Sequence, residues 1–275
     1  MTALERSLKW LYWAGAAGLA PWIVYLYFSQ VQSAVTRQVH VLAVGILGAL
    51  MAGVLVTAWT YWRASCQLLM AASFTAAATF ISAWFRALTR SGSSGWSASL
   101  PVFLTVAAVI VGLCAAAIRS ELATWSGGPG RIRWLPAALG IAALALVPSL
   151  VIVLVVVPPV QVAHHLRLAW TGLDVCELFA LAATGLALHR RSAITVIPAT
   201  VTGALLLCDA WINIIPTTGM ARAEAILLAF AEVPLAAISF WVAARSARAY
   251  RAAGAAGAGA AGTGAAGGAP ARRGA

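Results

Sequence analysis

A chain of 275 residues with 62% hydrophobic and 9% charged side chains cannot present an ordinary water-soluble surface, so lipid must be the solvent for most of it. Its formal net charge of +11 would suggest nucleic acid in a soluble protein. Here the basic residues fall between apolar runs, where they orient a membrane protein, and a nucleic-acid partner is excluded.

The apolar runs that could span a bilayer follow one another along the chain. The first, at about residues 10 to 30, has basic flanks that mimic a signal peptide. Its length, and Pro21 and Trp22 after the small residues Ala14 to Ala20, predict an uncleaved signal anchor. Three more runs lie at about 41 to 62, 67 to 88 and 99 to 118. The longest loop, about 119 to 133, contains Ser126, Gly127, Gly128, Pro129 and Gly130 and is too short for a separate core. Four further runs follow at about 134 to 157, 167 to 188, 193 to 215 and 224 to 244, with Pro148, Pro198 and Pro234 placed to interrupt helices. After Arg251 the chain is an Ala, Gly and Pro mixture with too little apolar bulk to offset ordering entropy. The domain reading is thus a transmembrane bundle over 1–251 and a disordered basic tail over 252–275.

Because the runs are continuous rather than alternating, they predict helices and not a barrel. The fold class is all-α, a polytopic transmembrane bundle of about eight spans. An inside N-terminus places 13 Lys and Arg residues on cytoplasmic segments, among them Arg63, Arg119, Arg190 and Arg191. Only 5 remain outside, namely Arg37, Arg86, Arg90, Arg167 and Arg222. That asymmetry predicts an even number of spans with both termini cytoplasmic, in a multi-pass protein of the cell membrane. Arg245, Arg248 and Arg251 after the last span can lie against anionic head groups, each adding about 1 kcal/mol.

Cys66, Cys114, Cys176 and Cys208 lie within or at the ends of runs and read as small packing residues, without metal-ligand spacing or a disulfide framework. A weak internal echo relates Ser82-Ala83-Trp84-Phe85 in the third run to Asp209-Ala210-Trp211-Ile212 in the seventh, the pattern a duplicated four-helix unit would leave.

Of seven acidic residues, four fall inside runs: Asp174 and Glu177 in the sixth, Asp209 in the seventh and Glu232 in the eighth. Helical rise places them roughly 10, 15, 9 and 12 Å below the outer ends, so all four can converge in one outer-half pocket. Asp174 and Glu177 share a helix face with Trp170 one turn above, and Thr202, Asp209 and Asn213 form a second stripe. A charged acid at mid-membrane costs about 2.5 to 3.5 kcal/mol, so these side chains must face protein or water. Clustered carboxyls in low dielectric cannot all stay ionised, and one that keeps its proton is a usable Brønsted acid. The plainer alternative is that Glu177, Asp209 and Asn213 only bond helices together, at about 0.6 kcal/mol per bond. Arg86 is the candidate counter-ion, with snorkelling to the interface as the alternative.

Most tryptophans lie near run ends and read as an aromatic belt. Trp84, Trp170 and Trp211 stand close to the acids, where aromatic faces could stabilise a cation, and they are the candidate substrate-binding residues. His164 and His165 fall in an outer loop outside any metal motif. The chain has no Asp-rich diphosphate site, phosphate-binding loop, H-E-x-x-H, nucleotide fingerprint or Ser-His-Asp arrangement. Neither cofactor nor metal is expected.

The segment Trp170-Thr-Gly-Leu-Asp174-Val-Cys-Glu177, with Ala183-Thr-Gly185, Arg190-Arg191 and Asp209-Ala-Trp211, resembles small bacterial multispanning membrane proteins over roughly residues 165 to 215. In size, helical bundle and sparse acids the chain also resembles the membrane-bound terpene cyclases of meroterpenoid pathways. That resemblance implies protonation of a polyene or epoxide. The leading expectation is a membrane enzyme that cyclises a lipophilic isoprenoid, with Asp174, Glu177 and Asp209 as its carboxylates. The alternatives are a small proton-coupled transporter and a noncatalytic membrane scaffold. Expected partners are membrane lipid and a lipophilic small-molecule substrate; no protein partner is identified.

The charge asymmetry is directly testable. Reporter fusions at residue 255 and within 160 to 166 should label opposite faces of the membrane, and a periplasmic C-terminus would reject the arrangement.

Overall fold

The computed structural model describes residues 39–63, 67–90, 99–125, 166–214 and 220–266, with Trp134, Ile141 and Leu144 as isolated positions. The expected first span, nearly all of the expected fifth, Pro148, His164, His165 and the last nine residues lie outside the described residues. Six α-helices and one 3₁₀ turn are found, and no strand occurs among the described residues. They are α1 Val39–Trp62, α2 Leu68–Arg90, α3 Ser99–Trp125, α4 Leu166–His189, α5 Val196–Ile214 and α6 Met220–Ala266. Helices α2 to α6 are long and apolar enough to cross a membrane, and α1 adds the shorter apolar stretch Ile46–Tyr61.

Helix α2 packs against α1, α3, α4 and α5, while α5 packs against α6, α2 and α4, so α2 and α5 form the centre of the bundle. Lipid is as apolar as leucine and gives helices no hydrophobic reason to associate; close approach and hydrogen bonds must do so instead. The buried positions accordingly include many small residues, among them Ala72, Ala107, Ala117, Ala199, Ala204 and Ala243. Leu47, Leu50, Val54, Phe103 and Ile110 fill the space between α1, α2 and α3.

The echo between the third and seventh runs extends over the described helices. Helices α1 and α4 are both 24 residues long and begin at 39 and 166, a shift of 127. The same shift carries Pro21 onto Pro148, Arg63 onto Arg190 and Ala83-Trp84 onto Ala210-Trp211. It also relates two buried hydrogen bonds, Thr57 to Thr75 at 3.1 Å and Thr184 to Thr202 at 3.0 Å, each joining residues 18 apart. The hydroxyls of Thr57 and Thr184 donate to the carbonyls of Gly53 and Ala180, so Thr75 and Thr202 are the donors across the helix pairs. A shift of 126 then carries Arg119-Ser120 onto Arg245-Ser246, and buried Phe103, Ile110 and Ala117 onto buried Ala229, Ala236 and Ala243. Two corresponding three-helix units, α1 to α3 and α4 to α6, therefore meet along α2 and α5.

Short connections keep neighbouring helices antiparallel. Past His189, Arg191 takes φ 50, and the amide of Ser192 closes back on Ala187 O at 3.0 Å. Ser192 Oγ then accepts from Ile194 N at 3.3 Å and starts the 3₁₀ turn Ala193–Thr195 that leads into α5. Of the prolines expected to interrupt helices, Pro198 and Pro234 lie among the described residues and do not. Pro198 is the third residue of α5, where an amide hydrogen has no intrahelical acceptor, and Pro234 lies inside the unbroken helix α6. Helix α6 also continues over 252–266, where a disordered tail is expected. Alanine is the best helix former, and its density there carries the helix onward despite the glycines.

At one seam the approach of helices tolerates no side chain. A Cβ on Gly172 of α4 would lie 2.4 Å from Trp84 Cζ2 of α2. Gly172→Ala should lower the thermal midpoint in detergent, since overpacking a core costs about 1–3 kcal/mol. Combining it with Trp84→Ala should make the loss less than additive, and a strictly additive pair would show that the two do not meet.

Candidate functional site

The helical acids are the principal polar group of the bundle interior. Asp174 and Glu177 stand one turn apart on α4, and Asp209 comes from α5. All three are buried, at 4%, 2% and 6% exposure, and one oxygen from each lies within 4.8 Å of the others. Asn213, one turn beyond on α5, donates Nδ2 to Asp209 Oδ1 at 3.0 Å. Half-buried Glu232 of α6 lies close enough to Asp209 to interact with it.

The cluster is under-satisfied. Asp174 Oδ2, Glu177 Oε1 and Glu232 Oε2, together with Thr171 Oγ1 one turn before Asp174, are buried without a hydrogen-bond partner. Each unsatisfied group costs about 1–3 kcal/mol, more where it is charged. Helix-bonding residues would be expected to meet partners instead. The oxygens are near enough together to share a proton or to surround one small cation.

Position matters as much as chemistry. Asp209 lies thirteen residues into α5, roughly 20 Å along the helix from the end that adjoins Arg190 and Arg191. The acids thus occupy the half of the bundle opposite the arginines. They also adjoin the seam between the two units, because Ile81 and Phe85 of α2 pack there with Leu173, Trp170 and Ile212. At the positions corresponding to Asp174, Glu177 and Asp209 the first unit carries Leu47, Leu50 and Ser82. At these three positions only the second unit bears carboxyls.

The aromatic residues divide differently from the sequence expectation. Trp84 donates Nε1 to Ala169 O at 3.2 Å and rests on Gly172, and Trp170 meets Phe85 edge-on at 5.2 Å. Both lock α2 to α4 beside the acids. Trp211 follows Asp209 by two residues and so points to another side of α5, where it is 45% exposed. Arg86 stacks over the Phe103 ring at 4.0 Å.

One buried acid escapes the sequence reading. Glu121, 2% exposed near the end of α3, pairs with Arg251 of α6 at 3.7 Å. Beside it Ser120 Oγ donates to Tyr61 Oη at 3.2 Å. In sequence Arg251 reads as part of a positive-inside anchor that can lie against lipid head groups, and Glu121 falls outside the apolar runs that drew attention to the other acids. No protein-family model, curated protein or solved structure matches the chain.

The exposure difference between the tryptophans yields a test. Trp211→Ala should leave membrane abundance and thermal midpoint unchanged, as surface substitutions usually shift stability by less than about 0.5 kcal/mol. Trp84→Ala should lower both, because it removes a large side chain packed between helices. Equal effects would contradict the placement of Trp211 on the outer face.

Proposed function

We propose that the chain is a multi-pass carrier of about eight spans, with both termini cytoplasmic, that couples proton exchange at the carboxyl cluster to movement of a small lipophilic solute. The observation carrying this reading is the set of buried, partnerless carboxyl oxygens beside the seam of a duplicated bundle. Acids inside membranes commonly mark proton or ion pathways. In carriers built from repeats, the coupling site sits at the interface between halves. A repeat of four spans per unit would place the halves in the same orientation about an axis along the membrane normal, and rocking of one against the other would alter access to the seam.

Acid-catalysed cyclisation of a lipophilic isoprenoid is the second reading. It is favoured by the clustering of Asp174, Glu177 and Asp209 in the bundle interior, since buried carboxyls so close together cannot all stay ionised and protonation of an alkene or epoxide needs a positioned acid in a dry site. It is weakened by the tryptophans. Trp84 and Trp170 are occupied in helix packing and Trp211 faces outward, so none offers an aromatic wall to a cationic intermediate.

Proteoliposomes carrying a pH gradient and an internal pH-sensitive dye separate the readings. The parent chain should dissipate the gradient, and Asp209→Asn or Glu177→Gln should abolish that flux while leaving membrane abundance unchanged. A parent without flux that forms a cyclised product from a prenylated epoxide, and loses turnover by about 10²-fold or more in the amide variants, would replace the carrier with the enzyme. Amide variants that retain full flux, with Ala variants that only lose abundance, would reduce the acids to helix-bonding residues.

A further inference from the structure

A second site lies away from the carboxyls. A cavity of about 760 Å³ opens between α1, α2 and α6, with Thr200 of α5 on its inner wall. Its apolar part exists because three helices present small residues to it, Ala52 from α1, Ala71 from α2 and Ala244 from α6. Its polar end is formed by Thr60, Gln67 and Arg248. Between Phe240, which lines the apolar part, and Arg248 the helix rises about 12 Å. That approaches the roughly 15 Å hydrocarbon depth of one leaflet.

The duplication argues that this space is a built feature rather than imperfect packing. At the positions that correspond across the units, Ala52 is matched by Phe179, Ala71 by Pro198, Ala244 by Ile118 and Arg248 by Leu122. One seam carries bulk and no cation. The other carries small residues and an arginine at its mouth.

The surrounding arginines are already engaged. Arg63 stacks on Trp59 at 4.3 Å, Arg245 lies over Trp241 at 5.5 Å and Arg251 pairs with Glu121 at 3.7 Å. Arg248, whose Nε donates to Ala244 O at 3.3 Å, is the arginine of this group that lines the cavity. We propose that the cavity holds one acyl chain of an anionic phospholipid from the leaflet at the basic end of the bundle, with its phosphate at Arg248 and Gln67. Guanidinium suits a phosphate because it offers a planar fork of donors. The walls from Ala52 and Met70 to Phe240 and Ala244 are apolar, as an acyl chain requires. Lipid retention here does not require proton exchange at the carboxyls.

The test uses the full chain purified in detergent, with native mass spectrometry to count retained lipid. Dioleoylphosphatidylglycerol should be retained in preference to dioleoylphosphatidylcholine. Arg248→Gln should weaken that retention about fivefold, the factor corresponding to one arginine near a membrane surface. Arg245→Gln removes the same charge outside the cavity and should change nothing. Ala244→Phe should expel both lipids while the protein still elutes as a single species; if that variant fails to fold, Ala71→Leu makes the same test from the opposite wall. A parent chain that retains no lipid overturns the proposal, as do equal losses in the two arginine variants or undiminished retention in the filled cavity.

Discussion

Inside a bilayer a polar group finds no water, so each donor and acceptor must be answered within the chain or left at a cost. Most side chains here obey that constraint by the shortest route. Thr60, Thr79, Ser82, Thr200 and Ser239 each donate to the carbonyl four residues before, at 2.6 to 2.8 Å. Helices rich in serine and threonine can then pass through lipid without exposing a hydroxyl. Where a hydroxyl reaches across instead, as Thr75 does to Thr57 and Thr202 to Thr184, it fixes the register of a helix pair. Trp84 does the same between α2 and α4 through the Ala169 carbonyl. Against this background of satisfied groups, the bare oxygens of Asp174, Glu177 and Glu232 stand out as groups kept for something other than packing.

The duplication shows what the shared scaffold requires and what each unit has added. Both units retain the Thr pair and the arginine that follows the first helix, Arg63 or Arg190. These fix register and orientation, needs that any pair of membrane helices has. The differences are local and chemically large. Leu47, Leu50 and Ser82 in the first unit stand where the second carries Asp174, Glu177 and Asp209, a change from packing residues to a carboxyl cluster at corresponding positions. Conversely the small residues and Arg248 that shape the cavity have bulkier or apolar counterparts at the other seam.

How much of this was legible beforehand depended on the range over which each signal acts. Helical spans are written in continuous apolar runs, so α1, α2, α4 and α5 fall close to their expected limits, while α3 and α6 run on past theirs. The convergence of Asp174, Glu177 and Asp209 was also accessible, because depth follows from a constant rise per residue and facing from a spacing of three. Helix facing of the tryptophans was not. Trp211 is adjacent in sequence to Ala210 and two residues from Asp209, yet sequence proximity on a helix places side chains on different sides. The pairing of Glu121 with Arg251 joins residues far apart in the chain, and no local pattern specifies it. The end of α6 was missed for a different reason: a mixture of Ala and Gly looks disordered by its lack of apolar bulk, while alanine's backbone preference favours helix.

Helix α5 connects the two specialised places. Thr200 lines the cavity and Asp209 belongs to the carboxyl cluster, nine residues apart and therefore about 13 Å along one rigid element. Its intervening residues Thr202 to Leu206 are all buried, and Gly203 admits the Phe240 ring so closely that a Cβ would lie 2.9 Å from it. Such a helix cannot bend independently at its two ends, because a close-packed interior passes displacement on rather than absorbing it. A change of charge at Asp209 that altered how α5 sits against α4 and α6 would therefore be felt at the wall of the cavity. Conversely, a chain lodged between α1 and α6 would bias the position of α5 at the carboxyls. Any coupling between the two sites is reciprocal by thermodynamic necessity, and α5 is the element through which its magnitude would be set.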